Sequence, residues 1–301
     1  MQLTDAIPNF VVIGAAKAGT TSLHGWLSQH PQVFVPAQKE LHFFAEPWLR
    51  ENCRGPGDER KLQHLAADWH DYLAHYRDAG GYTAIGDVSP SYFSWWPSRD
   101  AIRQRLGEPR ILLLLRDPVG KAFSQYTHLL RDGREKLSFW EGLQAEPDRI
   151  ARGYGAIWRY LGGASYAEPT ERFLETFGRD RMKILFFEDL ISRPHDVLRE
   201  TFEFLGVAPD VRINTSDVRN RSGAPKSRWI AGTLNNPSLR RMARAVLPAA
   251  FVARVGARAT ELNAGAKPVL DERSREFIRE RIAPDLRRLA RLLDRKPAWL
   301  D

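Results

Sequence analysis

Residues 10–22 carry the first side chains whose types and spacing could do chemistry. The segment reads FVVIGAAKAGTTS, which is an apolar run, a loop bounded by Gly14 and Gly19, and the start of a helix. Glycines let the backbone curl so that successive N–H groups and the helix N-terminus converge on an anion. The spacing is that of the phosphate loop G-x-x-x-x-G-K-[ST], except that Thr20 replaces the lysine after the second glycine and Lys17 lies inside the turn. The segment predicts a cradle for a single phosphate with one cation beside it; a glycine-rich turn closed by a threonine cap is the alternative.

A second pair of phosphate-binding candidates follows the apolar run ILLLL. In ILLLLRDPVGKAFSQY, Arg116 directly follows the run, and Ser124 lies within the helix expected after it. The planar guanidinium suits a bidentate contact with a phosphate, and the serine hydroxyl can donate a hydrogen bond to the same group. The alternatives are a local ion pair between Arg116 and Asp117 and an exposed helix serine.

The segment KELHFF at residues 39–44 carries a candidate base. Glu40 follows the apolar run VFVP, which predicts that it lies at the carboxyl edge of a sheet beside the phosphate loop. Burial against an apolar wall raises the pKa of a carboxyl group towards neutrality, which suits proton abstraction. In an extended segment, His42 would lie on the same side as Glu40 and could orient an acceptor or share the proton. The alternatives are a surface pair of Glu40 with Lys39 and a structural histidine.

Candidates for contact with an acceptor lie in the segment GDVSPSYFSWW. Trp95 and Trp96 could form a platform for a sugar ring or an aliphatic group, although adjacent tryptophans are more often buried in a core. Ser89 and Tyr92, in the same segment, are further candidates.

Taken together, these motifs resemble those of sulfotransferases that use 3′-phosphoadenosine 5′-phosphosulfate (PAPS), in particular the heparan-sulfate and carbohydrate type. The loop GAAKAGTTS resembles their 5′-phosphosulfate motif, ILLLLRDPVGKAFSQY their 3′-phosphate motif, and KELHFF the segment with the catalytic glutamate of heparan-sulfate-type members. Similarity continues through GDVSPSY, FFEDL and the terminal LLDRKPAWL, so it runs nearly end to end. Many relatives carry a lysine where this chain has Val88, together with a C-terminal disulfide and a membrane anchor. The chain therefore resembles a soluble, bacterial-like member.

The resemblance implies transfer of the sulfuryl group of PAPS to a hydroxyl or amine of a carbohydrate, lipid or other small molecule, leaving 3′-phosphoadenosine 5′-phosphate (PAP), with no metal required. Glu40 would be the general base of an in-line displacement, Lys17 the cation at the leaving phosphate, and His42 would assist at the acceptor. The implied donor-binding residues are Lys17, Ala18, Gly19, Thr20, Thr21, Ser22, Arg116 and Ser124, with Arg221, Ser222, Gly223, Lys226 and Arg228 of a late loop. A mobile basic loop is the alternative for the late segment.

The elements that must position these residues follow from hydrophobic patterning. Short apolar runs predict buried strands at residues 10–13, 33–35, 84–85, 111–115 and 183–187. Helices are expected at residues 21–29, 66–78, 98–106, 119–131, 166–177 and 195–205. This alternation predicts an α/β, P-loop-like three-layer fold, with a central parallel sheet of about five strands that binds ligands at its carboxyl edge. A single domain is expected, with a core at residues 1–206 and a donor-closing loop and basic helical annex at residues 207–301.

Composition narrows the class of protein. The chain has 301 residues, of which 43% are hydrophobic, which excludes a disordered chain. A single cysteine and the absence of a long apolar run favour a cytoplasmic protein with no membrane anchor. The net charge of +8 is concentrated in residues 219–301, which hold 19 Lys and Arg against 8 Asp and Glu. This basic third favours peripheral contact with a membrane, an anionic acceptor, or only solvent; no specific nucleic-acid partner is expected, and the oligomeric state is left open.

Two other functions remain open from the sequence. A P-loop kinase for small molecules would need the missing lysine at position 20 and a carboxylate for Mg²⁺. A noncatalytic nucleic-acid or membrane-surface binder could use the basic third, where the pattern L-x-x-M-A-x-x-V-L begins at Leu239 among arginines.

Overall fold

The computed structural model of the protein describes residues 6–63, 65–216 and 268–300. Its centre is a five-stranded sheet in which all pairs are parallel and the strand order is β2-β3-β1-β4-β5. The strands are β1 (Phe10–Gly14), β2 (Val33–Phe34), β3 (Ala84–Val88), β4 (Arg110–Leu115) and β5 (Met182–Phe186). The five predicted strands and the parallel three-layer α/β class are therefore confirmed.

The strands are mostly apolar because the sheet is covered on both faces. Every residue of β1 and β3 is buried, as are all but the first residue of β4. Phe10 at the start of β1 is aligned with Gly86 of β3 on one side and Arg110 of β4 on the other. A Cβ at Gly86 would overlap the Phe10 ring, so glycine is required at this close approach.

Helices connect the strands and cover both faces. Their bounds are α1 (Thr20–Leu27), α2 (Glu46–Glu51), α3 (Glu59–Leu62), α4 (Trp69–Ala74), α5 (Ser91–Ser94), α6 (Ser98–Leu106), α7 (Pro118–Arg131), α8 (Phe139–Gln144), α9 (Glu146–Ala151), α10 (Ala167–Phe177), α11 (Phe187–Ser192), α12 (Pro194–Leu205) and α13 (Glu272–Leu292). Short 3₁₀ turns lie at Phe43–Ala45, Ala156–Trp158, Gly162–Ala164, Arg179–Arg181 and Ala298–Leu300.

All six predicted helices are present, but α4 is shorter than expected. It begins after Asp68, whose side chain accepts a hydrogen bond from the Asp71 N–H and caps the helix. The helices α2, α3, α5, α8, α9 and α11 were not predicted, because one or two turns are too short to show a helical period.

The basic C-terminal helix α13 packs against the body of the protein. Ile278 and Ile282 are buried in an apolar cluster with residues of α7 and α8. The Asp285 carboxylate accepts hydrogen bonds from the backbone N–H groups of Tyr166 and Ala167, at the start of α10. The described part of the basic annex thus contains a helix, whereas residues 217–267, with the apolar pattern that begins at Leu239, lie outside the described residues. None of the helices in the described ranges has the length and apolarity needed to cross a membrane.

Candidate active site

A cavity of about 810 Å³ opens at the carboxyl edge of the sheet, where the loops after β1, β2, β3 and β4 meet. It brings together most of the residues that the sequence singled out. Those on its wall are Lys17, Gly19, Thr20, Thr21, Glu40, His42, Arg116 and Ser124. The late-loop candidates Arg221, Ser222, Gly223, Lys226 and Arg228 lie outside the described residues.

The loop after β1 presents an open helix N-terminus to this cavity. Gly19 precedes α1 with a φ of 94°, and no side chain caps the helix, which excludes the expected alternative of a turn closed by a threonine cap. The first N–H groups of a helix have no acceptor within it, so they attract an anion. Ser22 is buried, and the Ala18 N–H is turned inward, where it donates to the Ala15 carbonyl. Ala18 and Ser22 do not line the cavity, whereas Lys17, Gly19, Thr20 and Thr21 do.

Lys17 is the cation inside this turn. Its backbone has a φ of 69°, which is rare for a residue other than glycine and places the side chain at the cavity. Burial lowers the pKa of Lys17 to about 8, and the nearby charge of Arg131 acts in the same direction. A binding anion would favour the charged ammonium and return this pKa towards its ordinary value.

Arg116 connects the phosphate loop to the start of α7. Its Nη1 donates a hydrogen bond of 3.1 Å to the Lys17 carbonyl, and its guanidinium lies 4.3 Å from the centre of the Phe187 ring. The Asp117 carboxylate accepts from the N–H groups of Val119 and Gly120 and so caps α7. Asp117 therefore acts on the helix, and Arg116 and Ser124 face the same cavity.

Glu40 and His42 lie in a left-handed turn, which corrects the expected extended segment. Their φ angles are 67° and 57°. Residues in this region cost roughly 1–3 kcal/mol each and persist only where neighbouring contacts hold them. Here the Glu40 N–H donates to the Val88 carbonyl and the His42 N–H donates to the Ser89 hydroxyl, both at 3.1 Å.

Both oxygens of the Glu40 carboxylate have cationic or polar partners. Oε2 lies 3.3 Å from His42 Nε2, and Oε1 lies 2.5 Å from Lys39 Nζ. Burial alone would raise the pKa of Glu40, but the hydrogen bond from His42 and the charge of Lys39 lower it well below its usual range. The expectation of a raised pKa is therefore wrong. Glu40 is a carboxylate at neutral pH and is paired with Lys39, as the sequence left open, but both side chains are partly buried.

His42 is nearly fully buried, and burial lowers its pKa, so the ring is neutral at neutral pH. A carboxylate can only accept, which assigns the ring proton to Nε2 facing Glu40. The other nitrogen, Nδ1, then accepts a hydrogen bond of 2.7 Å from the Ser91 hydroxyl. The histidine thus orients the Glu40 carboxylate and is itself held by a serine at the start of α5.

A buried carboxylate that the sequence analysis missed supports this turn. Asp87 accepts hydrogen bonds from the hydroxyls of Ser89 at 2.6 Å, Tyr92 at 2.7 Å and Tyr72 at 3.0 Å. Burial raises the pKa of Asp87 against the opposing effect of these hydrogen bonds. Ser89 and Tyr92 are fully buried in this network and do not line the cavity. In this structure they support the Glu40 turn, which differs from the expected contact with an acceptor.

The two tryptophans are also placed away from the cavity wall. Trp95 and Trp96 pack, partly buried, against the main core. The guanidinium of Arg99 lies 4.6 Å from the centre of the Trp96 ring, and that of Arg172 lies 5.5 Å from it. This arrangement is the core packing that the sequence left open, and Pro90, Ser91 and Ser94 are the residues of this segment that line the cavity.

The rest of the cavity wall comes from segments in which the sequence shows no recognisable motif. The Asp58 carboxylate accepts from the N–H groups of Gly55 and Gly155 and from the Trp158 indole, and pairs with Arg134. Further residues of this wall are Trp48, Arg60, Lys61, Arg131 and Asp132. The sequence did not point to these residues, because Asp58 contacts residues about one hundred positions away, and such contacts leave no local pattern. In the described ranges, no cluster of three or more His, Cys, Asp or Glu side chains could hold a metal ion.

Comparisons with known proteins show which sequences and structures this chain resembles. The sequence model of a family described as "Sulfotransferase family" matches residues 8–210. The chain is 33% identical to a sulfotransferase from Alicyclobacillus acidocaldarius, whose crystal structure superimposes with a TM-score of 0.74 over 98% of this chain and 100% of that one.

Curated relatives match over a shorter part of their length. The human bifunctional heparan sulfate N-deacetylase/N-sulfotransferase 3 is 28% identical over 216 residues, which are 68% of this chain and 23% of that protein. The mouse heparan sulfate glucosamine 3-O-sulfotransferase 3B1 is 28% identical over 205 residues, which are 67% of this chain and 46% of that protein. The matches thus span 23% and 46% of the length of these two curated relatives.

The tether between Asp87 and the Glu40 turn can be tested by Ser89→Ala. This change removes the acceptor of the His42 N–H and a donor to Asp87, and both are buried. We expect the free energy of unfolding to fall by about 1–3 kcal/mol, measured by urea denaturation. Ser94→Ala, at an exposed serine of the same segment, is the matched control and should change it by less than about 0.5 kcal/mol. Equal stabilities of the two variants would contradict the tether.

Proposed function

This chain belongs to the sulfotransferase family, and from that premise we propose that it transfers the sulfuryl group of PAPS to a hydroxyl or amine of a glycan, lipid or other small-molecule acceptor. One observation supports this most directly. The phosphate loop, the Arg116 and Ser124 pair and the Glu40 turn come from separate parts of the chain and line one cavity.

Two anion-binding positions in this cavity fit the two phosphates of the donor. The open N-terminus of α1, with Lys17 beside it, suits the 5′-phosphosulfate. Arg116 and Ser124 suit the 3′-phosphate. The late-loop residues Arg221, Ser222, Gly223, Lys226 and Arg228 remain part of the proposal by resemblance alone.

Sulfuryl transfer requires a cation near the leaving phosphate and a base near the acceptor. Negative charge builds up on the leaving phosphate, and Lys17 stabilises it there. The acceptor must lose a proton, and Glu40 receives it. His42 holds one carboxylate oxygen through Nε2, so the second oxygen is the one that turns to the acceptor. Glu40 is ionised at neutral pH, but its lowered pKa makes it a weak base. Substrate binding therefore has to raise the proton affinity of Glu40.

The charged residues on the cavity wall favour a polar substrate. Trp48 offers an apolar face, while Lys61, Arg131 and Arg134 bring positive charge to the same wall. The curated relatives named above carry heparan sulfate in their names. We therefore rank a glycan above a lipid, and on the single cysteine we retain a cytoplasmic location.

A transfer assay with radiolabelled PAPS and a panel of glycans, lipids and small phenols tests the proposal. Sulfated product that forms equally in EDTA supports it, because sulfuryl transfer needs no Mg²⁺ while phosphoryl transfer does. Transfer from ATP that EDTA abolishes would establish the kinase instead. Steeply salt-dependent binding to DNA or anionic vesicles, with no binding of PAP, would establish the noncatalytic binder.

Arg116→Ala should weaken PAP binding by about 2–5 kcal/mol, because a buried phosphate would lose its charged partner. Isothermal titration calorimetry measures this directly. Arg99→Ala is the matched control, since Arg99 is also a partly buried arginine that stacks on an aromatic ring, 4.6 Å from the centre of Trp96. Unchanged affinity in Arg116→Ala would remove Arg116 from the donor site.

Glu40→Gln and Lys17→Ala should have different effects on PAP binding and on the rate of transfer. Glu40→Gln keeps the shape of the side chain but removes the base, so single-turnover rates should fall by roughly 10²–10⁴ while PAP still binds. Lys17→Ala should impair both PAP binding and turnover, because the ammonium contacts the donor before and during transfer. A near-normal rate in Glu40→Gln would transfer the role of base to another group.

The lowered pKa of Lys17 predicts how PAP affinity depends on pH. With a pKa of about 8 in the free protein, the ammonium is progressively lost above pH 8, and a phosphate dianion binds the charged form. PAP affinity should therefore fall by up to about tenfold per pH unit above pH 8. Titrations start at pH 8 because burial lowers the pKa of Lys121, on the same cavity wall, to about 7. Lys17→Arg stays charged and should remove the decline; an equal decline in that variant would assign it to another group.

A further inference from the structure

We propose that Lys39 couples donor binding to the proton affinity of Glu40. In the free protein its ammonium contacts both Glu40 and Thr21 at the start of α1. When the donor binds, the ammonium moves to the donor phosphate. This inference rests on the proposed sulfotransferase function. It concerns a residue for which the sequence suggested only a surface ion pair.

The position of the Lys39 ammonium carries the inference. Nζ lies 2.5 Å from Glu40 Oε1 and donates a hydrogen bond of 3.1 Å to Thr21 Oγ1. Thr21 belongs to the first turn of α1, at the open N-terminus that faces the cavity. One ammonium therefore touches both the candidate base and the element expected to bind the phosphosulfate.

The Lys39 side chain is held in this position. It is 17% exposed, whereas the Glu40 side chain is 35% exposed, so the lysine is the more covered partner of the pair. Lysine carries a compact charge on a flexible stem with rotatable bonds. Its ammonium can therefore shift from one anion to another nearby without a change in the backbone.

The charge distribution explains why such a shift would matter. Glu40 faces Lys39 and His42 directly, and the charges of Lys61 and Lys17 reach it across the cavity. A carboxylate paired with an ammonium is a poor proton acceptor, because the pair stabilises its ionised form. A phosphate dianion at the start of α1 competes for the same ammonium with a larger charge. Loss of Lys39 from Glu40 Oε1 leaves that oxygen open to the acceptor proton and raises its proton affinity.

The coupling has a reciprocal consequence in donor binding. If the donor draws Lys39 away from Glu40, then the carboxylate of Glu40 holds Lys39 away from the donor by the same free energy. Removing the Glu40 charge should therefore strengthen donor binding, and only when Lys39 is present. This result concerns PAP affinity and needs no turnover.

A double-mutant cycle on PAP affinity tests the coupling. The four proteins are the unmodified chain, Glu40→Gln, Lys39→Met and the double variant, each titrated with PAP by calorimetry. Glutamine keeps an acceptor for Lys39 without the charge, and methionine keeps the apolar stem of lysine. We expect Glu40→Gln to tighten PAP binding about 3- to 10-fold in the unmodified chain and less than about twofold in the Lys39→Met background.

Lys61→Met provides the matched control background. Lys61 lines the same cavity, and its charge also lowers the pKa of Glu40, but the contact with Thr21 belongs to Lys39. Glu40→Gln should tighten PAP binding as much in the Lys61→Met background as in the unmodified chain. Circular dichroism on each protein confirms that the variants are folded.

The outcomes separate this inference from the proposed function. Equal tightening in the Lys39→Met background would show a charge effect through space and would overturn the coupling while leaving the function intact. No tightening in any background would also overturn it. Failure of the unmodified chain to bind PAP would overturn both the function and the inference.

Discussion

The pairing of β1 with both β3 and β4 is the constraint on which the site depends. Because the three strands are parallel, their carboxyl ends meet at one edge, and the loop after β1 lies between the ends of the other two. The loop after β3 leads to Ser89 and supports the Glu40 turn, while β4 leads directly to Arg116. The central position of β1 therefore brings Lys17 to the same cavity as Glu40 and Arg116.

Buried polar groups offset the strain that this geometry requires. Lys17, Glu40 and His42 are the residues other than glycine with positive φ in the described ranges, and all three line the cavity. Conformations of this kind persist where surrounding contacts determine them. For Glu40 and His42, those contacts lead through Ser89 to the Asp87 carboxylate. A buried carboxylate with three hydroxyl donors is a rigid support, because each donor would be costly to leave unpaired.

The proposed reaction needs a charged Lys17 and a basic Glu40, and the electrostatics of the free site oppose both. Burial lowers the pKa of Lys17, so the proposed cation is partly destabilised, and the pKa of Glu40 is also lowered, so the proposed base is weak. A donor phosphate corrects the first by its charge. If it also attracts Lys39, it corrects the second. On this proposal, the site becomes reactive when its donor is bound.

The local pattern of the sequence determined the elements and the motifs. Short apolar runs predicted all five strands, and the glycine spacing, the Arg116 pair and KELHFF predicted several of the side chains that line the cavity. Short helices such as α2 and α9 left no periodic signal. Tertiary structure alone decided the left-handed turn at Glu40, the support by Asp87 and the wall built on Asp58. Those features depend on which partners lie opposite a residue, and hydrogen bonds that link segments such as residues 58 and 155 leave no trace in local spacing.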